Sequence, residues 1–292
     1  MTIRPTPFTD AQMEAQYNLR LGRPDYDVAV VPKWVERSRE TRRALPCRLG
    51  IAYGPSERTK LDVFPAPGEG NPVLLYFHGG YWQRGSREDY SFLAEPFVAA
   101  GVTVVMAGYD LCPDVTMTEL VAQTRAAAAY TWRYVQEWGG DRTKMTVMGH
   151  SAGGHITGML IATDWSQVDT DMPRAIFRAA IPVSPLNDLA PLRPTALNKA
   201  LKITDAEVDE LSPQDLPPID DAPQLVVVGA RETEEFHRQA DNYVAAYRTP
   251  ARVIERLSVR DCDHFDLMDE LADPQSEFFL RSLSFITATE GA

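Results

Sequence analysis

Short apolar runs rich in β-branched residues recur along the chain, and several are bounded by Gly or Pro. Continuous runs of this length predict strands that are buried on both faces of a parallel sheet. Six runs of this kind are Val73–Phe77, Val102–Met106, Met145–Met148, Ala179–Val183, Leu225–Val228 and Arg252–Leu257. Two earlier strand candidates, Cys47–Tyr53 and Lys60–Phe64, are separated by a Gly-Pro-Ser turn and predict an antiparallel edge.

Longer segments with helical spacing lie between these runs. The segment that starts at Thr116 opens with Thr-Met-Thr-Glu, which has the form of a capping box. Further helical patterns cover Ala152–Thr163, Glu234–Tyr247 and Pro274–Ala288. Strands and helices that alternate in this way predict right-handed crossovers. We therefore expect an α/β fold: a doubly wound, mostly parallel sheet of about eight strands with helices on both faces.

Two segments interrupt this alternation. Residues 1–45 are polar and helical in pattern, and their arginines are expected on a solvated face. These arginines are Arg37, Arg39, Arg42 and Arg43. Residues 185–218 are rich in proline and contain a second capping-box start at Thr204; an insertion of this length is usually functional. We expect 1–292 to form a single domain, in which 185–218 is a small cap over the strand ends, where open α/β sheets bind ligands.

Composition and charge narrow the classes of partner. Hydrophobic residues make up 44% of the chain and charged residues 24%, which is typical of a folded globular protein. Lys and Arg number 29 against 41 Asp and Glu, so the formal net charge is −12. A negative surface repels phosphate backbones and anionic lipids, which argues against nucleic acid and membranes as partners. The net charge says nothing about the chemistry of a pocket, and the partner that we expect is a small-molecule substrate. The oligomeric state is left open, with a homodimer among the options.

Targeting signals and cysteines bear on the compartment. No apolar run reaches the roughly 18 residues that a membrane span needs. The first residues also lack the apolar core of a secretory signal. Cys47, Cys112 and Cys262 are too far apart for a disulfide framework or a zinc site. We expect three buried thiols in a reducing compartment, and hence a cytoplasmic protein.

The strongest chemical signal is the pentapeptide Gly149-His150-Ser151-Ala152-Gly153. A predicted strand runs directly into it and a predicted helix runs directly out. This context is typical of a nucleophile elbow, a strained turn in which small neighbours let the serine hydroxyl project above the sheet. Ser151 is therefore the candidate nucleophile. Ala152 is a candidate oxyanion donor, because its N–H lies at a helix N-terminus, and His150 is a candidate substrate contact.

A second motif, His78-Gly79-Gly80-Tyr81-Trp82, directly follows another predicted strand. Hydrolases with a nucleophile elbow take their other oxyanion donor from a loop of this type. Glycines allow backbone N–H groups to approach the oxyanion with no Cβ in the way. We expect Gly79, Gly80 and Tyr81 to form this side of the oxyanion hole, and Tyr81 and Trp82 to bind substrate. His78 is expected to brace the loop.

The general base must come from a loop at the same sheet edge. Three histidines follow Ser151: His155 lies on the nucleophile helix, His237 lies within a second predicted helix, and His264 lies in a loop. That loop, Asp261–Phe265, follows the last predicted strand. Only His264 is therefore placed to reach the serine hydroxyl, and it is the candidate base.

The acid that orients the base is expected on a loop between the serine and the histidine. Glu232 lies in the loop that directly follows the predicted strand Leu225–Val228, and it is the leading candidate. Glu234, Glu235 and Asp188 are the alternatives. Metal-ligand spacing and glycine-rich nucleotide-binding motifs are both missing from the sequence, so no cofactor and no metal are expected.

These motifs together resemble the kynurenine formamidase (arylformamidase) branch of the α/β-hydrolase superfamily, near the hormone-sensitive-lipase-like esterases. The resemblance rests first on His78–Trp82 as HGGYW and on Gly149–Gly153 as GHSAG. Further similar segments are Gln16–Asn18, Leu61–Phe64, Gly108–Pro113, Glu235–Phe236, Arg238–Gln239 and Asp263–Phe265. The resemblance covers about residues 14 to 285.

The resemblance implies an α/β-hydrolase fold with Ser151 as nucleophile and His264 as base. The acid of the family is an aspartate in a G-x-x-D context, and Glu232 occupies the matching position here. Members of the family cleave N-formylkynurenine to kynurenine and formate in tryptophan catabolism. The implied function is a serine hydrolase that removes a formyl-like group from an aryl amide. A broad short-chain carboxylesterase and a non-catalytic binding module are the alternatives.

Overall fold

The computed structural model describes most of the chain. The described residues are 8–217, 219, 221–250 and 252–288. The start of the predicted N-terminal segment, 1–7, and Pro218 of the predicted cap lie outside them. The expectation that 1–292 forms a single domain stays a prediction.

Eight strands form one sheet in the spatial order β1-β2-β4-β3-β5-β6-β7-β8. Their bounds are Arg48–Ala52 (β1), Lys60–Phe64 (β2), Asn71–Phe77 (β3), Thr103–Ala107 (β4), Gly140–His150 (β5), Ala179–Val183 (β6), Gln224–Gly229 (β7) and Ile254–Val259 (β8). β2 pairs antiparallel with β1 and with β4, and the other neighbours pair in parallel. This confirms the predicted mostly parallel sheet and its antiparallel edge.

Eleven α-helices connect or flank these strands within the described residues. Their bounds are Asp10–Tyr17 (α1), Val31–Ala44 (α2), Ala94–Ala99 (α3), Met117–Tyr134 (α4), Ala152–Ile161 (α5), Trp165–Val168 (α6), Asn198–Leu201 (α7), Asp205–Leu211 (α8), Glu234–Tyr247 (α9), Asp266–Leu271 (α10) and Glu277–Thr287 (α11). The predicted capping boxes at Thr116 and Thr204 are confirmed, because each hydroxyl accepts the backbone N–H of a Glu three residues on.

The apolar strands bury side chains on both faces of the sheet. Along β3, Leu75 and Phe77 pack with α4, α5 and α9, whereas Leu74 and Tyr76 pack with α2, α3, α10 and α11. Because successive side chains of a strand point to opposite faces, a strand covered on both sides must be apolar at every position. The two-sided packing confirms the doubly wound α/β arrangement.

The carboxyl ends of the parallel strands open onto one edge of the sheet. Phe77 of β3 pairs with Gly149 of β5, and Gly229 of β7 pairs with Val259 of β8. The loops that follow these strands therefore leave the sheet at similar heights. They carry the motifs that the sequence identified, so this edge is where a site would assemble.

Two expectations about individual residues need correction. Arg42 does not lie on a purely solvated face, because its Nη1 donates to the buried Asp62 carboxylate at 2.7 Å. Arg37 contacts Asp269 at 2.8 Å. Among the cysteines, Cys112 is buried but Cys47 is only half-buried. None of the helices in the described ranges is both long and apolar enough to cross a membrane.

Candidate active site

Ser151 occupies a sharp turn between β5 and α5. Its backbone angles, φ 58° and ψ −115°, are rarely adopted by residues other than glycine. Backbone strain of this kind is concentrated at functional sites. The turn is held by the Ser151 N–H, which donates to Val183 O at 2.8 Å. It also requires glycine at 153, since a Cβ there would lie 2.0 Å from Phe77 O. These contacts produce the tight turn that the GHSAG sequence predicts.

His264 and Glu232 form a buried pair at the same sheet edge. His264 Nδ1 lies 2.7 Å from Glu232 Oε2, and the Glu232 side chain is fully buried. The other carboxylate oxygen, Oε1, accepts the Gly229 N–H at 2.8 Å and the Ser184 hydroxyl. A carboxylate held this way fixes the ring orientation and keeps the proton on Nδ1, so Nε2 is available as a base.

Ser184 was not singled out from the sequence as a site residue. It follows β6 directly and has a φ of 44°, the left-handed region that a serine seldom adopts. Its N–H donates to Val227 O at 2.7 Å. The only sequence signal was its place directly after a buried strand, next to the strand that precedes Glu232.

The alternative acids lie elsewhere. Asp188 Oδ2 accepts from Arg238 at 3.0 Å, and Glu235 Oε2 accepts from the same guanidinium at 2.8 Å. Both carboxylates therefore belong to an ion cluster centred on Arg238. Glu234 is exposed on the surface of α9. Of the four acids considered, Glu232 is the one that the structure places against His264.

The HGGYW loop lies beside the elbow. A methyl group added to Gly79 would lie 3.2 Å from Ser151 Cβ, so the loop backbone closely approaches the nucleophile. Gly80 has a φ of 118°, a conformation that only glycine adopts readily. Ala152 is the first residue of α5, where backbone N–H groups have no acceptor within the helix. Of the predicted oxyanion residues, Gly79 thus lies beside Ser151 and Ala152 follows it in the chain, whereas Gly80 and Tyr81 line the same cavity as Ser151.

His78 braces this loop from below. Its Nδ1 lies 2.7 Å from Gly79 O, and its ring stacks on Tyr109 with centroids 4.3 Å apart. Burial lowers the pKa of His78 to about 4. A neutral, buried ring beneath the loop is suited to support and not to proton transfer at Ser151, as the sequence analysis expected.

His150 lies in the wall of the site and supports the base. Its Nε2 contacts His264 O at 2.9 Å, and the two rings are 4.4 Å apart between centroids. Burial lowers the pKa of His150 well below its usual value, so the ring stays neutral and donates to that carbonyl. Its predicted role as a substrate contact stays open, because His150 also lines the cavity described next.

A cavity of about 290 Å³ opens in front of Ser151 and His264. Its walls include six aromatic side chains, two arginines and one glutamate, and a large part comes from the N-terminal segment. The lining residues are Glu14, Tyr17, Asn18, Leu19, Arg20, Tyr26, Trp34, Gly80, Tyr81, Gln83, Arg84, Tyr90, His150, Ser151, Ala196, Leu197, His264 and Phe265. Among the described residues of the predicted cap, 185–218, only Ala196 and Leu197 line this cavity.

Trp82 does not follow its predicted role as a pocket residue. It is fully buried, and its ring packs edge-on against His155 with centroids 5.0 Å apart. Trp82 and Tyr81 both have positive φ, at 55° and 50°. This turn directs the tryptophan into the core, whereas Tyr81 stays at the cavity and donates its hydroxyl to Tyr17 O at 2.7 Å.

The N-terminal segment was missed as part of the site. Tyr17 donates its hydroxyl to the buried Glu235 carboxylate at 2.7 Å, and Thr233 donates to Gln16 O at 2.8 Å. Arg23 Nη1 contacts Asp263 at 2.6 Å and Asp266 at 2.8 Å. Its sequence signal was the family-like Gln16–Asn18 run, whose position over the site the pattern could not reveal.

No group of three or more metal-ligating side chains occurs in the part of the chain that the structure describes. The functional groups that the structure brings to this site are Ser151, His264 and Glu232, together with backbone N–H groups. A buried carboxylate, an imidazole and a strained serine at one sheet edge are the parts of a nucleophilic triad.

Comparisons with known proteins bear on this arrangement. The sequence profile of a family described as alpha/beta hydrolase fold matches residues 74–247. Kynurenine formamidase of Salmo salar is 32% identical over 254 residues, which cover 84% of this chain and 83% of that protein. Kynurenine formamidase of Drosophila melanogaster is 26% identical over 283 residues, 89% of this chain and 91% of that protein.

A solved structure is also similar over nearly the whole chain. A candidate thioesterase from Silicibacter sp. TM1040 superposes with a TM-score of 0.80 at 29% identity, covering 97% of this chain and 100% of that one. The chain therefore belongs to the α/β-hydrolase fold family, in the branch that contains the kynurenine formamidases. It is accordingly an enzyme of the hydrolase class, and the resemblance seen in its motifs is confirmed.

Proposed function

We propose that the protein is a serine hydrolase that removes a formyl group from an aryl amide of the N-formylkynurenine type. The observation that carries the proposal is the buried Glu232–His264 pair beside the strained Ser151. The kynurenine formamidase relatives, which match most of the chain, support the choice of a formyl amide.

The proposed reaction has two steps. Ser151 Oγ bonds to the formyl carbon while its proton passes to His264 Nε2, and Glu232 stabilises the imidazolium. The N–H groups of Ala152 and of the 79–81 loop hold the oxyanion. His264 then gives the proton to the amine nitrogen as the C–N bond breaks. Water then loses a proton to His264 and attacks the formyl carbon; His264 returns this proton to Ser151 Oγ as the ester C–O bond breaks, and formic acid leaves and ionises to formate.

The shape of the site supports a small acyl group. The Gly79 backbone lies so close to Ser151 that little room remains on that side of the nucleophile. The rest of the cavity has aromatic walls from Tyr26, Tyr90 and Phe265, which suit an aryl leaving group. We therefore expect activity on p-nitrophenyl esters to fall as the acyl chain lengthens from acetyl to octanoyl.

The test compares N-formylkynurenine with p-nitrophenyl acetate and octanoate, using the wild type and Ser151→Ala. We expect turnover of N-formylkynurenine in the wild type and a loss of about 10⁴-fold or more in the variant, since removal of a nucleophile leaves only residual catalysis. Circular dichroism checks that the variant is folded.

Two results would contradict the proposal. Unchanged turnover in Ser151→Ala would exclude the serine mechanism. Good turnover of octanoate with none of N-formylkynurenine would instead favour an esterase with a longer acyl pocket.

A further inference from the structure

Two guanidinium groups, those of Arg20 and Arg84, lie at the wall of the active-site cavity. A second cavity of about 460 Å³ adjoins it and shares both arginines as well as Gln83 and Tyr26. The two cavities therefore meet at a wall that carries two guanidinium groups. The carboxylates of Glu14, Asp27 and Asp89 also line one or the other cavity. A leaving group that extends from Ser151 past the aromatic walls would reach this wall.

The two arginines differ in what they already contact. Arg20 donates to Asp27 at 2.8 Å, and its guanidinium lies 5.3 Å from the centre of the Tyr26 ring. The Arg84 side chain is exposed and forms no ion pair or side-chain hydrogen bond with any other described residue. An unpaired guanidinium at a cavity wall is free to bind an anion, and its planar fork matches a carboxylate.

The backbone of Arg84 is tied to the catalytic loop. Its N–H donates to Gly80 O at 3.2 Å, so the residue has a defined position relative to the predicted oxyanion hole. Its charge also reaches the cavity lining: burial raises the pKa of Tyr26, and the charges of Arg20 and Arg84 oppose that rise.

We infer that Arg84 forms a binding site for a carboxylate carried by the leaving group of the substrate. The inference rests on the proposed function, and it assigns Arg84 to the carboxylate in the amino-acid tail of an N-formylkynurenine-type substrate. The aromatic walls would hold the ring, and Arg84 would discriminate between a tail that has a carboxylate and one that lacks it.

The test uses two formamides that differ only in the tail. N-formylkynurenine has an amino-acid tail, and ortho-acetylformanilide has the same aryl ketone with a methyl group in its place. We expect Arg84→Gln to lower the ratio of kcat/KM for the first substrate to that for the second by about tenfold, mainly through KM, since a charge-assisted hydrogen bond is lost.

Arg39→Gln is the matched control. It removes the same charge from an exposed position on α2, where Arg39 contacts Glu36 away from the cavity, and it should leave the ratio unchanged. An equal ratio in the wild type and in Arg84→Gln would overturn the inference and leave the proposed function standing. An equal fall in Arg39→Gln would also overturn it, because the effect would then come from overall charge.

A second readout separates the inference from the proposed function. If neither formamide is hydrolysed, the proposed function fails, and inhibition of p-nitrophenyl acetate hydrolysis still reports on the site. Kynurenine should then inhibit more strongly than ortho-aminoacetophenone, and Arg84→Gln should weaken kynurenine inhibition by about tenfold. Equal inhibition by the two amines in the wild type would overturn the carboxylate site.

Discussion

Three groups hold the Glu232 carboxylate, and together they determine which oxygen faces the base. Gly229 N–H and the Ser184 hydroxyl both contact Oε1, which leaves Oε2 for His264 Nδ1. The resemblance to the formamidases matched an aspartate to this position. The longer glutamate side chain is accommodated because its carboxylate folds back to the N–H three residues earlier in the chain.

Glu232→Gln tests this arrangement. Gln keeps the shape, but its amide group can donate to Nδ1 and so favours the tautomer with the proton on Nε2. That tautomer cannot accept the serine proton, and we expect kcat to fall by up to about 10⁴-fold. The measurement is single-substrate kinetics on whichever substrate the wild type turns over best.

Asp188→Asn is the control for Glu232→Gln. Asp188 has the same chemistry and lies in a loop at the same sheet edge, but it contacts Arg238 and not His264. We expect a loss of less than about tenfold, because the Arg238 guanidinium keeps its contacts with Glu235. If kcat falls strongly in Asp188→Asn and stays near the wild-type value in Glu232→Gln, then Glu232 is not the acid.

Single residues also show where the sequence was insufficient. Ser151 and His264 could be predicted as nucleophile and base because a strand, a turn and chain order together point to them. Trp82 and Ser184 could not be placed, because each has a positive φ that its residue type does not signal. At Trp82, the positive φ directs the side chain into the core instead of the cavity.

At the scale of elements, the N-terminal segment contributes more residues to the cavity than the predicted cap does. Glu14 and residues 17–20 line the cavity, and Arg23 joins the segment to Asp263 and Asp266, which flank His264. Asp263 in turn accepts the N–H groups of Phe265 and Asp266. The segment therefore braces the turn that carries the base.

Arg23→Gln should loosen this segment. Both ion pairs are largely shielded from water, so their loss should cost about 1–3 kcal/mol of local stability. We expect amide hydrogen exchange in residues 14–22 to become about five- to 150-fold faster, because 1.4 kcal/mol corresponds to a factor of ten. Mass spectrometry of peptides from the exchanged protein measures this.

Lys33→Gln is the matched control for Arg23→Gln, since it also removes one positive charge from an ion pair. Lys33 contacts Asp269 at 2.7 Å, but both side chains are considerably exposed, and such pairs contribute little. Exchange in residues 14–22 should stay as in the wild type. If the two variants loosen the segment equally, the Arg23 contacts are not what holds it.

The helices and strands themselves could be predicted more readily than the contacts between them. β-branched runs identified the strands and capping boxes identified two helices, because these signals are local. The contact between Tyr17 and Glu235 joins residues far apart in the chain, and no periodicity encodes it. Arg42 was expected in solvent for the same reason, since its partner Asp62 lies on a separate strand.

At the scale of the whole molecule, buried histidines couple folding to pH. Burial lowers the pKa of both His78 and His155 to about 4, whereas an unfolded histidine has a pKa of about 6.5. The folded state therefore favours the neutral rings. Their contribution to stability is fully present above about pH 6.5, and it is lost as pH falls from there towards about 4, because the unfolded chain takes up the protons first.

His155→Gln tests this coupling. His155 Nε2 donates to Leu211 O at 2.8 Å, and a glutamine amide can make the same bond without titrating. Between pH 7.5 and pH 5.0, each such histidine should cost the wild type about 2 kcal/mol of unfolding free energy. Urea unfolding at the two pH values should therefore show a loss smaller by about that amount in the variant, even if the substitution lowers stability at both. An equal loss in the two proteins would mean that His155 is not the source of the acid sensitivity, and the other buried histidines or the carboxylates would have to carry it.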